Sequence, residues 1–101
     1  MIVNWTDRAK ARLHLMHGKI AEHSEFTADR EIDKLLTSSA RLSELPHSGR
    51  KVPEYGREEV RELLIKPYRV IYWILPDRID VVTVIHYRQH LDKQLEKLLD
   101  S

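Results

Sequence analysis

Residues 60–75 read V-R-E-L-L-I-K-P-Y-R-V-I-Y-W-I-L, and the way this stretch divides decides the fold. β-Branched and aromatic residues crowd it, as they do in strands. Lys66-Pro67 cuts it in two, because proline has no N–H to give a sheet ladder and is confined to edges and turns. A hairpin is therefore expected, with strands at residues 60–65 and 68–75. Pro76-Asp77-Arg78 supplies the next turn. Residues 79–86, I-D-V-V-T-V-I-H, then form a third strand whose middle is apolar on both faces, which suits an interior position in a sheet.

Upstream of the hairpin, Pro46, Gly49, Pro53 and Gly56 are four of the seven Gly and Pro residues in the chain, so residues 43–56 form the main loop. Before that loop, Ala28, Ile32, Leu35, Leu36, Ala40 and Leu42 fall on one helical stripe that stops short of Pro46. Ala9, Leu13, Met16 and Ile20 form another, from Asp7 to about Glu22. The polar break at His23-Ser24 makes the two a helical hairpin, with Gly18 the weak point of its first arm. Ile2 to Trp5 is a short β-favouring run, and Thr6-Asp7 suits a helix start. At the other end, Leu91, Leu95, Leu98 and Leu99 with Lys and Glu between them read as a C-terminal amphipathic helix. The order β-α-α-β-β-β-α predicts one α+β domain over residues 1–101. Its N-terminal strand and helical hairpin pack on a small, mostly antiparallel twisted sheet.

Composition narrows the function. Of 101 residues, 42% are hydrophobic and 33% charged, the balance of a globular protein. Seventeen Lys and Arg against 16 Asp and Glu leave a net charge of +1, so any nucleic-acid contact must be local rather than the work of a global basic field. The absence of cysteine excludes disulfides and thiol chemistry and fits a cytoplasmic address. No basic leader and no run of about 18 apolar residues is present, which argues against secretion and membrane insertion. Three glycines cannot build a phosphate-cradling G-x-x-x-x-G-K-[ST] or G-x-G-x-x-G loop, and there is no G-x-S-x-G elbow. No cofactor is expected. His14 and His17 stand one helical turn apart, but a zinc site needs three or four ligands, and no metal site is expected from an exposed pair.

The remaining candidates are cationic. Strict alternation would place Asp80, Val82, Val84, His86 and Arg88 on one side of the third strand and Tyr87 on the other. Arg69 alternates with Ile71 and Trp73, and Arg61 with Leu63 and Ile65, so each arginine sits in an apolar run where a charge is costly unless paired or able to reach water. Two readings stay open. In one, Arg61 and Arg69 pair with Glu59, Glu62 or Asp80, and His86 caps the strand. In the other, the arginines converge with His86 and Arg88 into a groove for anions such as RNA phosphates, with His86 moving a proton.

The ordered set Pro46-x-x-Gly49-Arg50-x-Val52-Pro53-Glu54, Val60-Arg61-Glu62-Leu63, Tyr68-Arg69-Val70-Ile71-Tyr72 and Val84-Ile85-His86-x-Arg88, after the opening Trp5-Thr6, resembles the ParE/RelE superfamily of bacterial toxin–antitoxin toxins. The resemblance spans essentially the whole chain. It implies the fold read above and a cognate antitoxin partner whose extended or helical tail wraps the toxin, giving a role to apolar surface on the hairpin or sheet edge. It allows a dimer or a higher toxin–antitoxin assembly.

The superfamily divides by target. RelE-like members cleave mRNA on the ribosome with basic groups on the sheet; ParE-like members bind and poison DNA gyrase. Arg50, Arg61, Arg69 and Arg88 are carried over as target-binding or phosphate-binding positions, and His86 with Tyr87 as the catalytic pair of a nuclease. Leu63 stands where RelE has a second basic residue, and the tyrosine expected in the last helix falls near Gln94, itself not a tyrosine. The His86-x-Arg88 ending resembles ParE. The order of readings is a gyrase-binding toxin, then a ribosome-dependent endoribonuclease, then a degenerate toxin that only binds its antitoxin.

Overall fold

In a computed structural model of the chain, which describes residues 1–91 and 95–97, the elements follow the expected order. Strand β1 (Ile2–Trp5) leads into helix α1 (Asp7–Ala21), helix α2 (Glu25–Ala40) and a 3-10 turn (Arg41–Ser43). Strands β2 (Arg50–Lys51), β3 (Val60–Ile65), β4 (Tyr68–Ile74) and β5 (Arg78–His86) complete the sheet. Residues 95–97 are helical, as the C-terminal pattern predicts, while Gln94, Leu98 and Leu99 lie outside the described residues.

Both helices begin where the sequence supplies an oxygen for an orphan backbone donor. Thr6 Oγ1 accepts from the Ala9 N–H at 3.2 Å, and Ser24 Oγ accepts from the Thr27 N–H at 3.1 Å. The Thr6 hydroxyl also donates to the Val81 carbonyl at 2.8 Å, which ties the start of α1 to β5. Helix α1 runs through Gly18 without a break.

The five strands lie in the order β1-β5-β4-β3-β2. All neighbours are antiparallel except β1 and β5, which run parallel with Ile2 opposite Arg78 and Trp5 opposite Val81. The hydrophobic core under the helices gathers Ala9, Leu13, Leu35 and Leu42 against Ile65, Val70, Tyr72, Ile79, Val81 and Val84. A smaller cluster, Val52, Val60, Ile71 and Val82, occupies the opposite face and is covered in part by Tyr55, Trp73 and Leu91.

Two features differ from the sequence reading. Arg50–Lys51, read as loop, is a short edge strand paired with Glu62 and Arg61. A register shift also breaks the alternation of β5: Tyr72 faces Val81, yet Ile71 faces Thr83, so Val82 is the extra residue of a bulge. Val82 and Asp80 stay on the open face while Val84 and His86 turn to the helix face, beside Val70 and Tyr68. The expectation that Asp80, Val82, Val84 and His86 share one side is corrected accordingly. The run V-V-T-V-I is β-branched throughout and buried from Val81 to Val84, Thr83 included, so no alternation of polar and apolar residues marks the change of phase.

Candidate functional site

The main loop is pinned to the sheet by one aromatic side chain. Tyr72 is fully buried; its hydroxyl donates to the Pro46 carbonyl at 2.8 Å and accepts from the Gly49 N–H at 3.0 Å. Burial raises its phenol pKa above the usual value. Gly49 must be glycine here, because a Cβ would run into the Glu62 backbone carbonyl and the Tyr72 hydroxyl. This latch delivers Arg50 and Glu54 to the open face of the sheet.

Glu54 there meets an ion cluster built from three elements. Arg69 of β4 is 5% exposed, and its guanidinium spends every one of its five N–H groups inside the protein. Nε reaches Glu62 Oε1 at 2.8 Å, Nη1 reaches Glu54 Oε2 and the Gln89 carbonyl, both at 2.8 Å, and Nη2 reaches Glu54 Oε1 and Glu62 Oε1. Glu62 is completely buried and accepts a further bond from Arg50 Nε at 2.6 Å. Two arginines and two glutamates therefore neutralise one another, which is what makes burial of these charges tolerable. Arg69 holds the Glu54 carboxyl down at about 2, with help from the Leu91 N–H at 3.0 Å, and the Glu54 hydrogen bonds in turn raise the Arg69 pKa.

The cluster also fixes the chain leaving β5. Its bonds to the Gln89 carbonyl and the Leu91 N–H strap residues 89–91 across the open face. The Gln89 side-chain Oε1 accepts from the His86 N–H at 2.8 Å, and the Gln89 backbone N–H donates to the His86 carbonyl at 2.9 Å, closing a turn over residues 86–89. Within this turn the Tyr87 ring stacks on His86 with centroids 4.9 Å apart, and Tyr68 meets His86 edge-on at 6.5 Å. The Arg88 N–H donates to His86 Nδ1 at 3.2 Å, so a neutral ring carries its proton on Nε2. Arg88 Nε donates to the Tyr87 hydroxyl at 3.0 Å, and the guanidinium lies 5.3 Å from the centre of that ring. Arg50, Pro53, Tyr87 and Arg88 rim an open cleft of about 490 Å³ whose floor includes Arg69 and Glu54.

The structure thus brings Arg50, Arg69, Tyr87 and Arg88 together but not Arg61. Opposite residues of an antiparallel pair share a face: Arg61 faces Tyr72 on the helix side, whereas Arg69 faces Leu64 on the open side. The expected convergence of Arg61 with Arg69 is therefore corrected. Arg61 instead donates to the Gly49 carbonyl at 2.9 Å, to the Glu58 carbonyl at 3.0 Å and to the Glu58 carboxylate. Of the ion pairs weighed from sequence, Arg69 with Glu62 forms, Glu59 pairs with Arg57, and Asp80 pairs with Arg78. Strict alternation also fails for Tyr87, because the strand ends at His86 and the stacked ring follows the turn. Sequence reasoning missed Glu54 as a charge partner and Gln89 as the turn's lock; the only signal for Glu54 was its place in the Pro53-Glu54 motif.

His17, expected to be an exposed helical partner of His14, instead meets Asp29 of α2 at 2.7 Å. Among the described residues no three His, Asp or Glu side chains gather as a metal site requires. None of the described helices is long and apolar enough to cross a membrane.

Two surfaces have no partner among the described residues. Trp5, Leu13, Ile32 and Leu36 line an apolar groove of about 450 Å³ beside the helical hairpin. Strand β2 covers β3 at Arg61 and Glu62, so the outer edge of residues 63–65 has no strand neighbour among the described residues, and the half-exposed Leu64 lies there with Leu45 nearby.

Comparison with known proteins agrees with this architecture. A solved structure described as the chromosomal ParDE TA system from P. aeruginosa superposes with a TM-score of 0.72 over 85% of this chain and 95% of that one, at 18% identity. At that identity the likeness establishes the fold alone. No curated protein matches the chain. The family model described as the ParE toxin of the type II toxin–antitoxin system, parDE, matches residues 3–91. The chain therefore belongs to the ParE toxin family of type II toxin–antitoxin systems.

Proposed function

We propose that this toxin arrests bacterial growth in the cytoplasm by binding and poisoning DNA gyrase through the exposed turn at His86 to Arg88, with Arg50 and Arg88 as principal contacts. The observation that carries the reading is the state of Arg69. A phosphate clamp needs a guanidinium with donors to offer, and Arg69 has none left after Glu54, Glu62 and Gln89. With Arg61 on the far face, the two arginines of the hairpin do not converge on one groove as a ribonuclease's phosphate clamp would need. Arg88 makes no ion pair among the described residues, and its guanidinium is braced on Tyr87, an arginine–aromatic pairing typical of protein-binding hot spots.

Membership of a type II toxin–antitoxin family implies an antitoxin partner. The apolar groove at Trp5, Leu13, Ile32 and Leu36 suits the apolar stripe of an antitoxin helix, and the open β3 edge suits an added strand. Occupation of these surfaces would neutralise the toxin and set the stoichiometry of the complex.

One observation favours ribosome-dependent mRNA cleavage as a second reading. His86 and Tyr87 are stacked and exposed, with Nδ1 of His86 fixed as an acceptor, which leaves Nε2 and the Tyr87 hydroxyl at the surface as a proton-transfer pair. A side-by-side assay of gyrase supercoiling and codon-positioned mRNA cleavage on ribosomes separates the two. Inhibition of supercoiling without cleavage is the expected result; cleavage that vanishes in His86→Ala would establish the nuclease instead.

A further inference from the structure

A second pocket shares Gln89 and His90 with the cleft, but its other wall belongs to α1. It has a volume of about 190 Å³ and is lined chiefly by Arg8, Arg12, Thr83, Gln89, His90 and Leu91. Arg8 and Arg12 are four residues apart and so share one helical face, where like charges repel and destabilise the helix. Neither makes an ion pair among the described residues. Arg8 is exposed and makes no side-chain hydrogen bond among the described residues.

Arg12 has one structural task. Strand β1 pairs with β5 only from Arg78 to Val81, and beyond that point Arg12 Nε caps the open edge by donating to the Val84 carbonyl at 3.2 Å. That bond anchors the guanidinium and leaves both Nη groups without a partner among the described residues. Two cations side by side, one anchored and neither paired with a carboxylate among the described residues, are complementary to an oxyanion.

We infer that Arg8 and Arg12 form an oxyanion pocket that receives a carboxylate side chain from the protein this toxin poisons, flanking the contact made by Arg50 and Arg88. The inference rests on the protein-binding function proposed above and names the chemistry of the partner: an acidic surface placed beside the strap at residues 89–91. A carboxylate fits better than an RNA phosphate. Single-stranded RNA is held by aromatic platforms on which bases stack, and the sole ring among the pocket's described lining is the exposed His90, beside the apolar Ile85, Leu91 and Leu95. The net charge of +1 also supplies no long-range field to gather a polyanion.

Arg8→Glu tests the pocket without disturbing a structural bond, and Arg8→Lys keeps its charge. Affinity for purified gyrase, measured at low and high salt, should fall about tenfold or more in Arg8→Glu at low salt, change little in Arg8→Lys, and differ less between variants at high salt. Equal affinity for wild type and Arg8→Glu would overturn the inference while leaving gyrase binding intact. A wild-type protein that does not bind gyrase would overturn the functional reading instead. The pocket is then read from the Arg12 Nε–H resonance during titration with acetate and with inorganic phosphate. A shift with acetate that is lost in Arg8→Glu upholds the pocket, and no shift with either anion refutes it. If Arg8→Glu weakens a single-stranded RNA oligonucleotide but not gyrase, the ligand is a phosphate and the carboxylate assignment fails.

Discussion

Arg69 and Arg88 stand at the two sides of one turn and have opposite fates. The first is sealed beneath the strap, with each N–H committed to Glu54, Glu62 or Gln89. The second leans on Tyr87 in solvent and meets no carboxylate among the described residues. Side-chain chemistry is identical, so the difference comes from position. Arg69 lies within β4 beneath the strap of residues 89–91, where a charge survives only in a closed network, and Arg88 lies past the end of β5, where water solvates whatever a partner does not. An arginine in a toxin of this fold is thus a site residue only where its donors remain unspent.

The comparison breaks most visibly if Arg69 is replaced by an uncharged residue. Arg69→Met leaves Glu54 and Glu62 without their shared cation and should cost about 3–5 kcal/mol in urea unfolding, the usual result of stranding a buried partner. A loss below about 1 kcal/mol would mean that the cluster is not structural.

Acid should probe the same network from the other side. The Glu54 carboxyl titrates at about 2 in the folded protein against 4.5 ordinarily, because Arg69 and the Leu91 N–H favour its ionised form over the opposing cost of burial. A depressed carboxyl pKa stabilises the fold fully above the unfolded value, and the contribution is lost as pH falls from about 4.5 through about 2. At ~1.4 kcal/mol per unit this is on the order of 3 kcal/mol. Unfolding followed from pH 7 to pH 2 should show that loss, and Glu54→Gln should flatten the profile over the same range.

Smaller again is the latch. Tyr72→Phe leaves the Pro46 carbonyl and the buried Gly49 N–H without their partner and should cost about 1–3 kcal/mol. Hydrogen exchange at the Gly49 amide should accelerate, since that N–H is held by the phenol.

Much of this architecture is legible in the sequence, and the reasons are local. Lys66-Pro67 parses the hairpin, Thr6 and Ser24 mark both helix starts, and the stripe from Ala28 to Leu42 names three buried residues, Ala28, Leu35 and Leu42, although its Leu36 and Ala40 are exposed. What escaped depends on distance or phase. The pairing of Arg50 and Lys51 with β3 is a contact between a loop and a strand with no periodicity of its own. The bulge at Val82 is silent because buried β-branched residues, Val81 and Thr83, flank it with no polar–apolar alternation to shift, and it carries His86 to the face opposite the one alternation gives. The site was half legible. Arg69 with Glu62 could be weighed as a pair, but Glu54 joins them only because Tyr72 and Gly49 hold the loop in place.

The sharpest contrast with Arg69 is Arg88→Ala, and it is also the most direct test of the account. Arg88 is exposed, so its loss should leave unfolding within about 0.5 kcal/mol of wild type. Inhibition of gyrase supercoiling by the same purified variant should weaken about tenfold or more, as expected when an interface arginine braced on an aromatic ring is truncated. Undiminished inhibition by a stably folded Arg88→Ala protein would contradict the account.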